Sequence, residues 1–326
     1  MAAEQQKAEV RSVPATTGEG PLAALHGAIP PAPAWFTDTV AVEPESAFVE
    51  VAGAPIHYLR WGDRARPGLL LVHGNAAHAY WWSFIAPFLA RDYNVAAIDL
   101  SGMGDSGWRK SYSMELFVEE ELAVCEAAGM FAPDEPPVIV AHSFGGFVTM
   151  LTGALHGERL AGTVIVDSPV NPPDRERSGP RRRGTIRPNK VYPALEAALA
   201  RFRLMPPQTC DNLYLVDWVG RRSLKPVDGG FTWKFDPAIW QDFSIGDTAA
   251  RLRATKCRIA IFRGENSVLM PPEIGEYMFN LLGRAAPVVE IPGAQHHIML
   301  DRPLALVAAL RALLADWNHS VPTRRV

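Results

Sequence analysis

Short apolar runs alternate with amphipathic stretches from about residue 47 onward, and their order predicts a layered α/β fold. FVEVAG (48–53) and PIHYLRWG (55–62) read as a hairpin. LLLVHG (69–74), NVAAIDL (94–100), VIVAHS (138–143), TVIVDS (163–168), CRIAIFRG (257–264) and VVEIPG (288–293) follow. Continuous β-branched runs without polar alternation are expected of strands covered on both faces, hence of a mostly parallel sheet. Between them, 113–129 gathers Met114, Val118, Leu122 and Cys125 on one helical face and turns Glu119 and Glu120 outward. Near the C-terminus Asp301 is placed to cap a helix with Pro303 in its first turn, and Leu304, Val307, Leu310 and Leu314 form its stripe. Such alternation requires right-handed crossovers between parallel strands.

Two segments break the rhythm. Residues 170–250 hold no strong strand pattern but many prolines and aromatics, among them Tyr192, Phe202, Trp218, Trp233 and Trp240. An insertion of this length between two sheet strands is expected to be a folded lid over a site. Residues 1–46 begin rich in Ala, Pro, Gly and small polar residues and are expected to form a flexible or loosely docked arm. That leaves 47–169 and 251–326 as the core.

Composition narrows the class. The chain has 326 residues, 48% of them hydrophobic and 21% charged, enough for one large globular domain with an insertion. A net charge of −3 gives no global reason for nucleic-acid or membrane binding. Cys125, Cys210 and Cys257 are odd in number, far apart and in no CxxC spacing, which argues against a disulfide framework or a zinc site and for a reducing compartment. MAAEQQKAEVRS lacks the apolar stretch of a signal peptide, and no run approaches the roughly 18 apolar residues of a membrane span, so the expected location is the cytoplasm.

The candidate chemistry clusters where strands end. In VIVAHSFGGF (138–147), Ser143 follows a strand and precedes a helical run, flanked at two-residue spacing by the small residues Ala141 and Gly145. A sharp strand-to-helix turn lifts such a hydroxyl to a helix N-terminus, where partial positive charge favours an oxyanion. An ordinary helix cap is the alternative. LLLVHGNAAHAYWW (69–82) ends a strand in His73-Gly74-Asn75, and the N–H groups of Asn75 and Phe144 could face an oxyanion as a pair. EIPGAQHHIMLDRP (290–303) sets His296 and His297 after the last strand, and a serine needs an imidazole within reach to act as a nucleophile near neutral pH.

Taken together, HGN (73–75), DLSGMGDSG (99–107), AHSFGG (141–146) and PGAQHHIMLDRP (292–303) make residues 47–317 resemble an α/β-hydrolase. The resemblance implies an eight-stranded, mostly parallel sheet with helices on both faces and a helical cap at 170–250. It implies that His296 is the base, that His297 is a structural neighbour, and that Ala141 stands where the first glycine of G-x-S-x-G is usual. It also exposes a gap. The acid commonly follows the strand at 257–264, three residues after a glycine, and here that position is Ser267. Glu265 is close by, at a position often held by a glutamate beside a separate catalytic aspartate. Asp167, at the end of the strand after the nucleophile strand, is preferred, because neighbouring parallel strands open onto the same edge. Glu265 is the alternative, and Asp301 is left as a helix cap.

Ser143 separates the chain from the haloalkane dehalogenases and epoxide hydrolases of that fold, which use an aspartate nucleophile. The expected activity is that of a carboxylic ester or lactone hydrolase working through an acyl-enzyme, with no metal or organic cofactor. A carbon–carbon bond hydrolase on the same residues and a non-catalytic ligand-binding relative are the alternatives. The expected partner is a small molecule with an apolar portion; a homodimer is compatible with the sequence. Trp81, Trp82, Trp218, Trp233 and Trp240 read equally as core or as pocket lining. SGMGDSG (101–107) matches a dinucleotide fingerprint only literally, because WRKSYS separates its glycines from the next helix. The basic run at 175–190 reads as solvated charge or as a contact to an acidic substrate group.

Overall fold

The computed structural model describes residues 20–131, 135–173 and 188–320. Ten strands are present among them: β1 (Glu45–Val51), β2 (Ala54–Trp61), β3 (Gly68–Val72), β4 (Asn94–Ile98), β5 (Val138–His142), β6 (Gly162–Val166), β7 (Leu224–Val227), β8 (Gly230–Trp233), β9 (Arg258–Gly264) and β10 (Val288–Ile291). The α-helices are α1 (Ala34–Val40), α2 (Ala86–Leu89), α3 (Met114–Ala127), α4 (Phe144–His156), α5 (Leu195–Leu199), α6 (Leu213–Arg222), α7 (Thr248–Arg253), α8 (Pro272–Leu281), α9 (Ile298–Asp301) and α10 (Pro303–Ser320).

Eight strands form one sheet in the order β1-β2-β4-β3-β5-β6-β9-β10. The first two pairings, β1 with β2 and β2 with β4, are antiparallel, and the rest are parallel. The central strands β3, β4, β5 and β6 are buried along their whole length, which is why their sequences show no alternation. Register does the positioning. His142 pairs with Val166, and Val166 pairs with Phe262, so β5, β6 and β9 end side by side.

Helix α3 starts where Ser113 accepts the Leu116 N–H at 3.2 Å. Glu119 faces solvent, but Glu120 does not point outward: it is fully buried, paired with Arg109 at 2.9 Å and accepting the Ser101 N–H at 2.8 Å. A buried carboxylate holds its charge only with such partners. On α10 the stripe is Leu306, Val307, Leu310, Leu314 and Trp317, whereas Leu304 is 44% exposed. Asp301 does not cap α10 with its side chain. It closes the separate turn α9, and its carboxylate accepts the Gln295 N–H at 2.7 Å.

The insertion is not purely helical. It combines α5 and α6 with the β7–β8 hairpin, which turns at Asp228-Gly229, a pair that favours hairpins. Most of the basic run at 175–190 lies outside the described residues. The described part of the N-terminal arm is packed, not loose: Leu22 and Phe36 are buried, and Phe36 meets Tyr214 and Trp218 of α6 edge-on at 5.0 and 5.5 Å. Among the described residues no helix is long and apolar enough to cross a membrane.

Candidate active site

Ser143 sits between β5 and α4 with φ 52° and ψ −115°, a conformation that costs a non-glycine residue on the order of 1–3 kcal/mol. The small neighbours make the turn possible. A Cβ on Gly145 would stand 2.5 Å from the His73 carbonyl oxygen, and one on Gly146 would stand 2.0 Å from Ser168 Oγ. The serine N–H donates to Val166 O at 3.0 Å, which ties the turn to the next strand.

His296 reaches this serine from the loop after β10. Its Nε2 lies 3.0 Å from Ser143 Oγ, and its Nδ1 lies 2.9 Å from Asp167 Oδ1. The loop is fastened at several points. Asp301 holds the Gln295 amide, the Glu265 carboxylate accepts the Gly293 N–H at 2.7 Å, and Asn266 N–H donates to Ala294 O at 2.8 Å. His142 adds a further tie, 2.9 Å from Nε2 to the His296 carbonyl. A carbonyl only accepts, so Nε2 of His142 carries the hydrogen and Nδ1 the lone pair.

Asp167 ends β6 with φ 49° and is fully buried. Besides His296, its carboxylate accepts the Ser267 hydroxyl at 2.6 Å and the Gly264 N–H at 2.8 Å. Ser143, His296 and Asp167 are thus brought together, whereas Glu265 is exposed and turned to Gly293. Ser267, at the position the acid of similar proteins commonly holds, donates its hydroxyl hydrogen to Asp167.

The His73-Gly74-Asn75 loop lies against the serine, since a Cβ on Gly74 would come within 3.1 Å of Ser143 Cβ. Among the described residues, neither the Asn75 nor the Phe144 amide is paired with a backbone carbonyl. A cavity of about 500 Å³ opens between this loop and the insertion. Asn75, Trp81, Met103 and His297 line it from the core, and Phe202, Trp233, Phe235 and Trp240 line it from the insertion. Trp82 is fully buried in the core, and Trp218 donates its indole hydrogen to Ser83 at 2.9 Å and packs on Phe36.

His297 differs from its neighbours. It is 4% exposed, and neither ring nitrogen has a hydrogen-bond partner among the described residues. Burial holds the imidazoles of both His142 and His297 well below the usual histidine pKa, with the nearby His296 acting in the same direction.

A second Ser–His–Asp chain occurs at the other end of the sheet. Ser46 Oγ lies 2.9 Å from His57 Nε2, and His57 Nδ1 lies 2.7 Å from Asp99. Burial works to raise the Asp99 pKa, but the His57 hydrogen bond and the surrounding histidines bring it to about 2. Ser46 lies at the start of strand β1 rather than at a helix N-terminus, so this trio lacks the electrostatic setting of Ser143. The glycines of SGMGDSG belong to the same structure: a Cβ on Gly104 would meet the Asp99 carboxylate, and α3 begins only at Met114. They do not open a nucleotide-binding helix.

The sequence model of the alpha/beta hydrolase family matches residues 69–310. Lipase LipV of Mycobacterium tuberculosis is 32% identical over 115 residues, 35% of this chain and 42% of that protein. Epoxide hydrolase 4 of Mus musculus is 24% identical over 124 residues, 37% of this chain and 33% of that one. The matches thus span less than half the length of these curated relatives. Among solved structures, the thioesterase domain from the curacin biosynthetic pathway superposes with a TM-score of 0.70 at 22% identity, covering 82% of this chain and 99% of that one. An esterase from Mycobacterium tuberculosis gives 0.65 at 21% identity, covering 90% and 97%. With its eight-stranded sheet, its strand-to-helix serine turn and a match over most of its length, the chain belongs to the alpha/beta hydrolase family.

Proposed function

We propose that this protein is a serine hydrolase that cleaves a carboxylic ester or lactone through an acyl-enzyme. The hydrogen-bonded chain from Ser143 through His296 to Asp167, at 3.0 and 2.9 Å, carries the reading. His296 Nε2 takes the Ser143 proton as Oγ attacks the substrate carbonyl, and returns it to the leaving alcohol. Asp167 accepts from Nδ1–H, fixes the tautomer and stabilises the imidazolium. The Asn75 and Phe144 amides bind the developing oxyanion, a contribution of about 10²–10³ in rate per donor. Water then enters by the same route in reverse and releases the acid.

The insertion serves as a cap over the site, and its aromatic wall selects substrates with an apolar portion. Likeness to a lipase and to an esterase supports the ester class, and Ser143 at the turn sets the chain apart from aspartate-based chemistry. The test is hydrolysis of p-nitrophenyl esters of short and medium chain together with labelling by a fluorophosphonate. Wild type should turn over and label, and a folded Ser143→Ala should do neither. A folded Ser143→Ala enzyme with full activity would end the proposal.

A further inference from the structure

We propose that His142, His296 and His297 form a binding site for a zinc ion, and that occupancy of this site blocks hydrolysis. One ring nitrogen from each of the three lies within 4.8 Å of those of the other two. The rings are neighbours, with centroids 4.7 Å apart for His142–His296, 4.8 Å for His296–His297 and 5.6 Å for His142–His297. All three residues are at least 96% buried, which removes competing water.

His297 is the observation that points to a ligand. Two buried ring nitrogens without partners cost on the order of 1–3 kcal/mol each, and such groups call for an ion, a water or a role. His142 is already set up as a ligand. Its Nε2–H is held by the His296 carbonyl, leaving the Nδ1 lone pair free, the arrangement by which a ligating histidine is normally oriented. Three neutral imidazoles suit zinc, with a fourth position left for Ser143 Oγ or water.

The expected geometry needs only side-chain movement. Zinc–nitrogen bonds of about 2.0–2.1 Å place tetrahedral donors roughly 3.4 Å apart, so the rings must close by a little over 1 Å. His296 cannot serve two masters. Its nitrogens face Ser143 and Asp167, and lending either one to the ion breaks the chain that activates the serine. Zinc binding stands independently of the reaction, while the block on hydrolysis rests on the serine hydrolase reading.

The experiment is calorimetric titration of the folded Ser143→Ala protein with zinc chloride, repeated with His297→Phe and His297→Gln added. In parallel, ester hydrolysis by wild type and both single His297 variants is followed against zinc, each normalised to its own metal-free rate. One ion per chain should bind, and both His297 changes should weaken it by more than about tenfold, since even outer-shell losses reach that size. Wild-type hydrolysis should fall over the same zinc range, recover with a chelator, and persist to at least tenfold higher zinc in the variants. His156→Gln, at the far end of α4, should alter neither readout. Equal binding with and without His297 overturns the site. Binding through His297 that leaves wild-type hydrolysis intact overturns the block. A protein that hydrolyses no ester but binds zinc through His297 supports the site and refutes the ester reading instead.

Discussion

Ser267 donates its hydroxyl hydrogen to Asp167 Oδ1 over 2.6 Å, and the same oxygen receives His296 Nδ1 at 2.9 Å. The residue at the usual acid position and the residue proposed to act as the acid are therefore joined through one atom. In the proposed triad the carboxylate stands after β6 rather than after β9, and Ser267 of the β9 loop supports it by a hydrogen bond. Burial of the carboxylate is offset by three donors: Ser267, Gly264 and His296.

Replacing the proposed acid should be far costlier than replacing the nearby glutamate. Asp167→Asn is expected to lose about 10⁴ in kcat, the scale of a lost triad acid. Glu265→Gln should stay within a few-fold of wild type. Steady-state kinetics on one p-nitrophenyl ester decides, with circular dichroism as the folding control; the reverse ranking would return the acid to the β9 loop.

Because the two positions share a bond, the acid should be movable. In the double variant Asp167→Asn with Ser267→Asp, the new carboxylate starts within reach of His296, and activity should rise at least tenfold above Asp167→Asn alone. Ser267→Ala by itself removes a hydrogen bond to a charged group, about 1.5–3 kcal/mol, and should lower kcat more than it raises KM. No gain in the double variant would show that β9 cannot present a carboxylate in line.

Glu121 introduces a pH dependence that is unrelated to catalysis. Burial raises its pKa to about 8, although the Thr149 and Thr152 hydroxyls that donate to it pull the other way. The folded state therefore keeps a proton that the unfolded chain releases near the ordinary carboxylate value of about 4.3. Stability from this group is full below that value and is lost as pH rises through about 8. Urea unfolding across this range should show the decline in wild type and a flatter profile in Glu121→Gln.

The turn at Ser143 should tolerate no added methyl group. In Gly145→Ala the new Cβ would meet the backbone oxygen of His73 at 2.5 Å, an atom that cannot step aside as a side chain can. Loss of about 1–3 kcal/mol in stability is expected, with a larger proportional loss in kcat, because the displaced strand end carries the Asn75 loop. Unaltered kinetics in a folded variant would show that the turn is looser than its geometry implies.

Phe36 should act as a brace between the N-terminal segment and the insertion. It is 5% exposed among Phe84, Tyr214 and Trp218, and the same segment gives its Gly27 carbonyl to Arg221 at 2.7 Å. Phe36→Ala is expected to cost about 3 kcal/mol and to raise KM through a loosened cavity wall. Thermal unfolding and KM on a medium-chain ester measure the two effects separately.

What the amino-acid sequence determined by itself was local in origin. The eight sheet strands, the small residues around Ser143, the loop bearing His296 and the helix at 113–129 follow from runs and spacings a few residues long. In each, the neighbours in sequence set the conformation. Tertiary structure decided what depended on contacts between distant segments. Glu120 lies inside because Arg109 and the Ser101 amide meet it there, and Leu304 lies outside because α10 turns Leu306, Val307 and Leu310 to the core instead. The segment at 20–46 is packed because α6 offers Phe36 a surface. The carboxylate that faces His296 was settled in the same way: parallel pairing of β6 with β9 brings Asp167 beside Gly264 and Ser267, about a hundred residues away in the chain. Spacing within one segment cannot encode that distance, because it is measured across hydrogen bonds between strands.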